Sequence, residues 1–144
     1  MNESPWHVRL AHWPGDEPAL RQVRERVFVQ EQQVPLELEW DGIDDQCLHM
    51  LAEDKSGNPI GTGRLLPDGH IGRMAVLREW RGRGVGSALL QALMQEGEKQ
   101  GFRNMVLAAQ LQAMPFYEKA GFTAEGEIFD DAGIPHRNMV WRKS

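Results

Sequence analysis

Seven residues, Arg81-Gly82-Arg83-Gly84-Val85-Gly86-Ser87, carry the clearest chemical potential in the chain. They lie between an apolar run ending Met74-Ala75-Val76-Leu77 and a helix-patterned segment beginning near Ala88. A strand, a glycine-rich turn and a helix start together aim backbone N–H groups at one point, which makes a cradle for an anion. The glycines permit positive φ and let a ligand approach the backbone without a Cβ in the way. Arginine forks match phosphate oxygens. The alternation Gly82, Gly84, Gly86 is not G-x-G-x-x-G, and no Lys-Ser or Lys-Thr follows at the Walker A offset, so dinucleotide and P-loop readings are weak. A flexible basic turn is the plain alternative.

Other reactive side chains are scattered. Cys47 is the single cysteine, which excludes an intramolecular disulfide and a multi-cysteine metal site; in a predicted strand it reads as a small buried hydrophobe. His7 and His12 have no metal-ligand partners at suitable spacing, and no metal site is expected. Between Val34 and Gln46, Glu37, Glu39, Asp41, Asp44 and Asp45 interleave with Leu36, Leu38 and Trp40. A solvated acidic connector is one reading. The other is a wall of an acceptor pocket, in which carboxylates beside a tryptophan suit an ammonium group.

The elements that must position these groups follow from periodicity and turn chemistry. Trp6 to Ala11 alternates like a first strand. Asp16 is placed as an N-cap, followed by Leu20, Val23, Arg24, Val27 and Phe28 at helical spacing, a helix that ends before Pro35. Cys47–Asp54 and Pro59–Leu66 form a hairpin through Lys55-Ser56-Gly57-Asn58, and Pro67-Asp68-Gly69 turns into Ile71–Leu77. After the loop, Leu89, Leu90, Leu93, Met94 and Gly97 make an apolar stripe closed by Gly101. Asn104–Ala109 is a buried strand, so a strand–helix–strand crossover encloses the loop and puts one parallel pair in the sheet. Met114–Ala120 is a short helix, and Phe122–Phe129 with Arg137–Trp141 a closing hairpin joined by Asp130–His136. The fold expected is mixed α/β: a central, mostly antiparallel sheet of six or seven strands with one parallel pair and helices on both faces.

The 144 residues, 1–144, fit one domain. With 16 basic and 21 acidic residues the formal charge is −5, which argues against a general nucleic-acid surface and slightly favours a cationic substrate. The N-terminal residues lack a signal-peptide apolar region, and no apolar run is long enough to span a bilayer. A cytoplasmic location and no membrane partner are the expectations.

The order strand, Arg81-x-x-Gly84-x-Gly86, helix, strand, then Gln110-x-x-Ala113-x-x-Phe116-Tyr117-Glu118-Lys119-x-Gly121-Phe122 closely resembles the GNAT superfamily of acetyl-CoA-dependent N-acetyltransferases. Arg26-Val27-Phe28-x-x-Glu31-Gln32, Glu39-x-Asp41 and Gly133-Ile134-Pro135-His136-x-x-Met139 resemble its ElaA-like bacterial branch. The resemblance implies that the pyrophosphate of acetyl-CoA rests on Arg81, Gly82, Arg83, Gly84, Val85, Gly86 and Ser87. It implies that the pantetheine arm runs along Met74, Ala75 and Val76, that Gln110 and Phe116 border the cofactor, and that the parallel pair splays to admit it. It further implies direct attack of an amine on the thioester in a ternary complex. Val76 N–H then polarises the carbonyl, and Tyr117, the only tyrosine, is the general acid. Gln110 stands where many members have asparagine.

The base stays open among Glu31, Asp41, Asp44, His49, His136 and a water chain. The acceptor, a primary amine of a small molecule or peptide, is unidentified. A cofactor-binding regulatory or interaction module with little turnover is the rival function, and nucleotide binding at the loop a third. Dimerisation is common among such proteins, but no stretch marks an interface.

Overall fold

The structure, a computed structural model, describes residues 5–144; the part of the N-terminal reading that falls on residues 1–4 lies outside the described residues. The alternating segments form β1 (Trp6–Leu10), β2 (Leu48–Asp54), β3 (Pro59–Leu65) and β4 (Ile71–Val76). They pair antiparallel in the order β1-β2-β3-β4. The second sheet joins β5 (Asn104–Gln110), β6 (Thr123–Asp131) and β7 (Ile134–Arg142) in the order β5-β7-β6, also antiparallel.

Where six or seven strands are expected, the described residues form seven, with the parallel pair as the seam between two sheets. Among the described residues one parallel bridge joins the sheets, from His70 just before β4 to Val106 of β5, with Val106 N–H donating to the Gly69 carbonyl at 3.2 Å. Beyond it the strands diverge. The cause lies in β4, where the register with β3 slips between Thr62 and Arg64 and Arg73 takes φ +51°. Such a bulge bends and twists the strand that carries it.

Two helical layers cover the first sheet. α1 (Glu17–Arg24) buries Leu20, Val23 and Arg24. Asp16 stands at its N-cap position, but its carboxylate accepts from Arg9 and from His12 N–H at 2.7 Å rather than from the first turn of α1. The single helix expected up to Pro35 instead widens to a π-helix over Glu25–Glu31, with Gln32 N–H donating to the Val27 carbonyl at 3.0 Å. α2 (Leu36–Glu39) and a 3-10 turn, Asp44–Gln46, occupy the acidic stretch. On the other face α3 (Val85–Lys99) starts three residues earlier than its apolar pattern implies, because Gly84 caps it in the left-handed region at φ +86°. It buries Leu89, Leu90 and Leu93, each stabilising the fold by about 1.5–3 kcal/mol. Gly97 lets α3 approach β5: a Cβ there would sit 2.6 Å from Met105 Sδ. α4 (Met114–Lys119) follows β5.

The connector expected at Asp130–His136 is shorter. β6 and β7 run on to Asp131 and Ile134 and turn through Ala132 and Gly133, both at positive φ, as a two-residue hairpin turn of the primed kind demands.

Candidate active site

The site is built where β4, the glycine loop and α4 converge. Leu77 N–H donates to the Ile60 carbonyl at 2.9 Å. With Gly61 opposite Val76 and Thr62 opposite Ala75, strand alternation then turns the N–H and C=O of Val76 and Met74 away from β3, toward the gap before β5. Ala75 faces the other way: its backbone serves the β3 ladder and its side chain is buried in the core. Of the three expected track residues, Met74 and Val76 thus present backbone to the gap and Ala75 does not.

The loop supplies donors without acceptors. The first backbone bond of α3 runs from Ala88 N–H to the Gly84 carbonyl at 3.1 Å. Among the described residues, the amides of Gly82, Arg83, Gly84, Val85, Gly86 and Ser87 donate to no backbone carbonyl. Gly82 and Gly84 hold φ +76° and +86°, which an L-residue reaches only with strain. A Cβ on Gly86 would lie 3.4 Å from Phe116 Cζ and 3.7 Å from Val76 Cγ2, so the helix start, the end of β4 and α4 meet at this one residue. Unpaired amides at the positive end of a 15-residue helix suit a pyrophosphate.

The side chains of the loop are otherwise engaged. Arg81 Nε donates to the Val76 carbonyl at 2.9 Å, and its two terminal nitrogens grip Glu31 at 2.6 and 2.7 Å. Arg83 lies over the Trp80 ring at 4.9 Å, and Ser87 is exposed.

Tyr117 is buried, packed edge-on against Phe116 and Phe122 at centroid distances of 5.0 and 6.2 Å. Burial pushes its phenol up to about 12, so it stands protonated at neutral pH. Gln110, the last residue of β5, donates to Gln32 Oε1 at 2.8 Å and accepts from Gln112.

The candidate bases separate. Glu31 is held below the usual carboxylate range by Arg81 and is a poor base. Asp41 and Asp44 belong to a closed ring of alternating charge in which Arg24 meets Glu39 and Asp44, Arg64 meets Asp44 and Asp41, and Arg73 meets Asp41 and Glu39. Hydrogen bonding to Arg64 draws Asp41 down to about 2. Burial pushes Asp44 up, but Arg24 and Arg64 more than offset it and leave it below its ordinary value. Burial dominates at Glu39 and raises it despite Arg73 and Arg24. His49 is buried against Trp13, bonded through Nε2 to the Asp44 carbonyl at 2.8 Å, and burial lowers its pKa. His136 differs: Nδ1 donates to the Ile134 carbonyl at 2.7 Å, so Nε2 is the ring nitrogen without a protein partner among the described residues, and the residue lies directly across from Gln110.

The acidic stretch is therefore neither a solvated connector nor an ammonium cage. Glu39, Asp41 and Asp44 are spent on arginines while Glu37 and Asp45 are exposed, and Trp40 lies beside Arg21 and Arg24 at 4.3 and 4.6 Å. Arg64 Nε, by contrast, is buried without a hydrogen-bond partner among the described residues, and Arg73 Nε reaches Glu39 at 3.2 Å with an angle too poor for a hydrogen bond. Cys47 precedes β2 rather than lying in it; its thiol donates to the Ile43 carbonyl at 3.3 Å, and burial raises its pKa. The partners of the ring arginines Arg24, Arg64 and Arg73 escaped sequence reasoning, as did that of Gln32, which it carried only as the end of the Arg26–Gln32 motif. Arg24 did leave a signal, an arginine on the apolar stripe of α1, which requires a buried anion. A hollow of about 270 Å³ lined by Arg26, Val27, Gln30, Glu31, Leu77 and Arg78 opens beside the Glu31–Arg81 pair. Among the described residues no cluster of metal-ligating side chains occurs, and no helix is long and apolar enough to cross a membrane.

Residues 16–143 match the family described as Acetyltransferase (GNAT) domain. The uncharacterized N-acetyltransferase YjcF of Bacillus subtilis is 41% identical over 122 residues, covering 82% of this chain and 86% of that protein. An acyl-CoA N-acyltransferase from Pseudomonas aeruginosa superposes with a TM-score of 0.81 at 30% identity over 94% of this chain and 97% of its own. ElaA of Escherichia coli superposes with a TM-score of 0.78 at 26% identity over 95% and 98%.

Proposed function

The chain belongs to the GNAT acetyltransferase family, and from that premise we propose that it transfers the acetyl group of acetyl-CoA to a primary amine by direct attack in the gap between β4 and β5. The observation that carries this reading is the open edge of β4 running into a series of unpaired amides at the start of α3, with the only tyrosine of the chain packed alongside through Phe116. The amides of Gly82–Ser87 hold the pyrophosphate of the donor, and the outward backbone groups of Met74 pair with its amide-bearing arm as an added strand would.

The Val76 N–H then points at the thioester carbonyl and stabilises negative charge as it develops on oxygen. The amine nitrogen bonds to the carbonyl carbon, the C–S bond breaks, and the amine's proton balances the departing thiolate. His136, whose Nδ1 is bonded to the Ile134 carbonyl so that Nε2 is the free ring nitrogen, receives the amine proton. Tyr117 serves the sulfur. With its phenol at about 12, complete proton transfer to a thiolate of ordinary pKa near 8.5 is uphill by about 5 kcal/mol. Tyr117 therefore acts first as a hydrogen-bond donor to the sulfur, and a proton passes through it only as one arrives from the amine side.

The test is thiol release from acetyl-CoA against a panel of primary amines, together with acetyl-CoA binding by calorimetry. Saturable, amine-dependent release supports the reading; tight binding without release from any amine supports a binding module instead.

A further inference from the structure

The two lips of the gap are tied by consecutive residues. Glu31 closes the π-helix and grips Arg81, whose Nε holds the Val76 carbonyl on the β4 lip. Gln32, the next residue, accepts from Gln110 Nε2 at the end of β5, the other lip. Gln112 donates to Gln110 Oε1 and fixes which end of that amide faces Gln32. Beyond the bridge at His70 and Val106, no strand hydrogen bond holds β4 to β5 among the described residues, so the separation of the lips there is left to side chains. The π-helix explains why both can face the gap: its extra residue per turn departs from the face that α1 presents to the sheet.

We propose that Glu31 and Gln32 are positioning residues that form a two-point strap across the donor gap. The strap sets the gap's width and the orientation of the Val76 peptide, and so the placing of the thioester between Val76 N–H and Tyr117. It rests on the function proposed above. Glu31 is thereby assigned a role other than base, acting through Arg81 without touching substrate. The Glu31–Arg81 pair is about two-fifths exposed, so its loss has little effect on stability, and an effect on catalysis is separable from unfolding.

Spin labels at Arg78 and Ala108, both exposed and one on each side of the gap, report the width in a Cys47→Ser background. Glu31→Gln and Gln32→Ala each broaden the distance distribution, and the double variant broadens it most. Gln32→Glu, which keeps an acceptor for Gln110, leaves it narrow. Without labels, kcat/KM with acetyl-CoA falls about tenfold in each disrupting variant at unchanged melting temperature, with Gln32→Glu restoring it. A double variant with an unbroadened distribution overturns the strap, and broadening with unchanged kcat/KM overturns its positioning role. Broadening in a protein that fails to bind acetyl-CoA at all upholds the strap and removes the donor assignment instead.

Discussion

The charge ring makes pH a direct probe at the scale of single residues. Asp41 and Asp44 both titrate below the ordinary aspartate value of about 3.9, Asp41 at about 2. A carboxylate depressed on folding stabilises the native state above its unfolded pKa and loses that contribution as pH falls toward its folded one. Glu39 is raised, so its contribution has the opposite sign and is lost as pH rises through its folded value. Urea midpoints should accordingly rise slightly as pH falls from neutral through the folded value of Glu39, then drop below about 4, where Asp41 and Asp44 take up protons together with the other depressed carboxylates Asp16, Glu31 and Glu53. Asp41→Asn should flatten the drop, and an unchanged slope would remove Asp41 from the ring's energetics. Arg24 is the residue the ring can least lose. It is fully buried with bonds to Glu39 and Asp44, so Arg24→Leu should cost about 3–5 kcal/mol in the same titration at neutral pH, since two buried carboxylates each lose one of their two arginines.

At the scale of elements, the glycine loop separates backbone strain from ligand space. Gly84 sits at φ +86°, so Gly84→Ala should destabilise by about 1–2 kcal/mol through the backbone alone. Gly86 carries no such strain, and a methyl there reaches only ordinary contact with Phe116 and Val76. Gly86→Ala should leave stability within about 1 kcal/mol of wild type while weakening acetyl-CoA binding, read by calorimetry beside a melting curve. Equal binding in both proteins would place the donor elsewhere. The elements themselves were largely legible: the meander, the loop, α3 and the crossover follow from alternation, helical spacing and turn residues. The π-helix was not, because a period of 3.6 residues was assumed across Glu25–Glu31. The hairpin turn at Ala132-Gly133 lacks the usual Asn-Gly or Asp-Gly, and Pro135 suggested a loop. It is tolerated because β7 extends past the end of β5 there and Pro135 has a strand neighbour on one side only. Nothing marks Arg73 as the residue of the β4 bulge, and the partners of the ring lie 15 to 34 residues apart, beyond local pattern.

At the scale of the whole molecule, the two sheets meet at one bridge among the described residues and part beyond it, and the proposed function rests on that parting. A ligand filling the gap supplies the cross-strand bonds that β4 and β5 lack, so it should stabilise the fold as a unit. Acetyl-CoA at about a hundred times its Kd adds about 2.7 kcal/mol, a rise of roughly 5–10 °C in melting temperature for a chain of this size. ATP, which has phosphates but no arm to lie along β4, should give a clearly smaller rise. A larger rise with ATP would make the loop a nucleotide site.

The central claim is that acetyl transfer takes place in this gap with Tyr117 serving the sulfur. Tyr117→Phe keeps the ring packed against Phe116 and Phe122 and removes only the hydroxyl. Thiol release with a productive amine should fall about tenfold to a thousandfold in kcat, with the Kd for acetyl-CoA unchanged. Wild-type kcat in the phenylalanine variant would contradict the account.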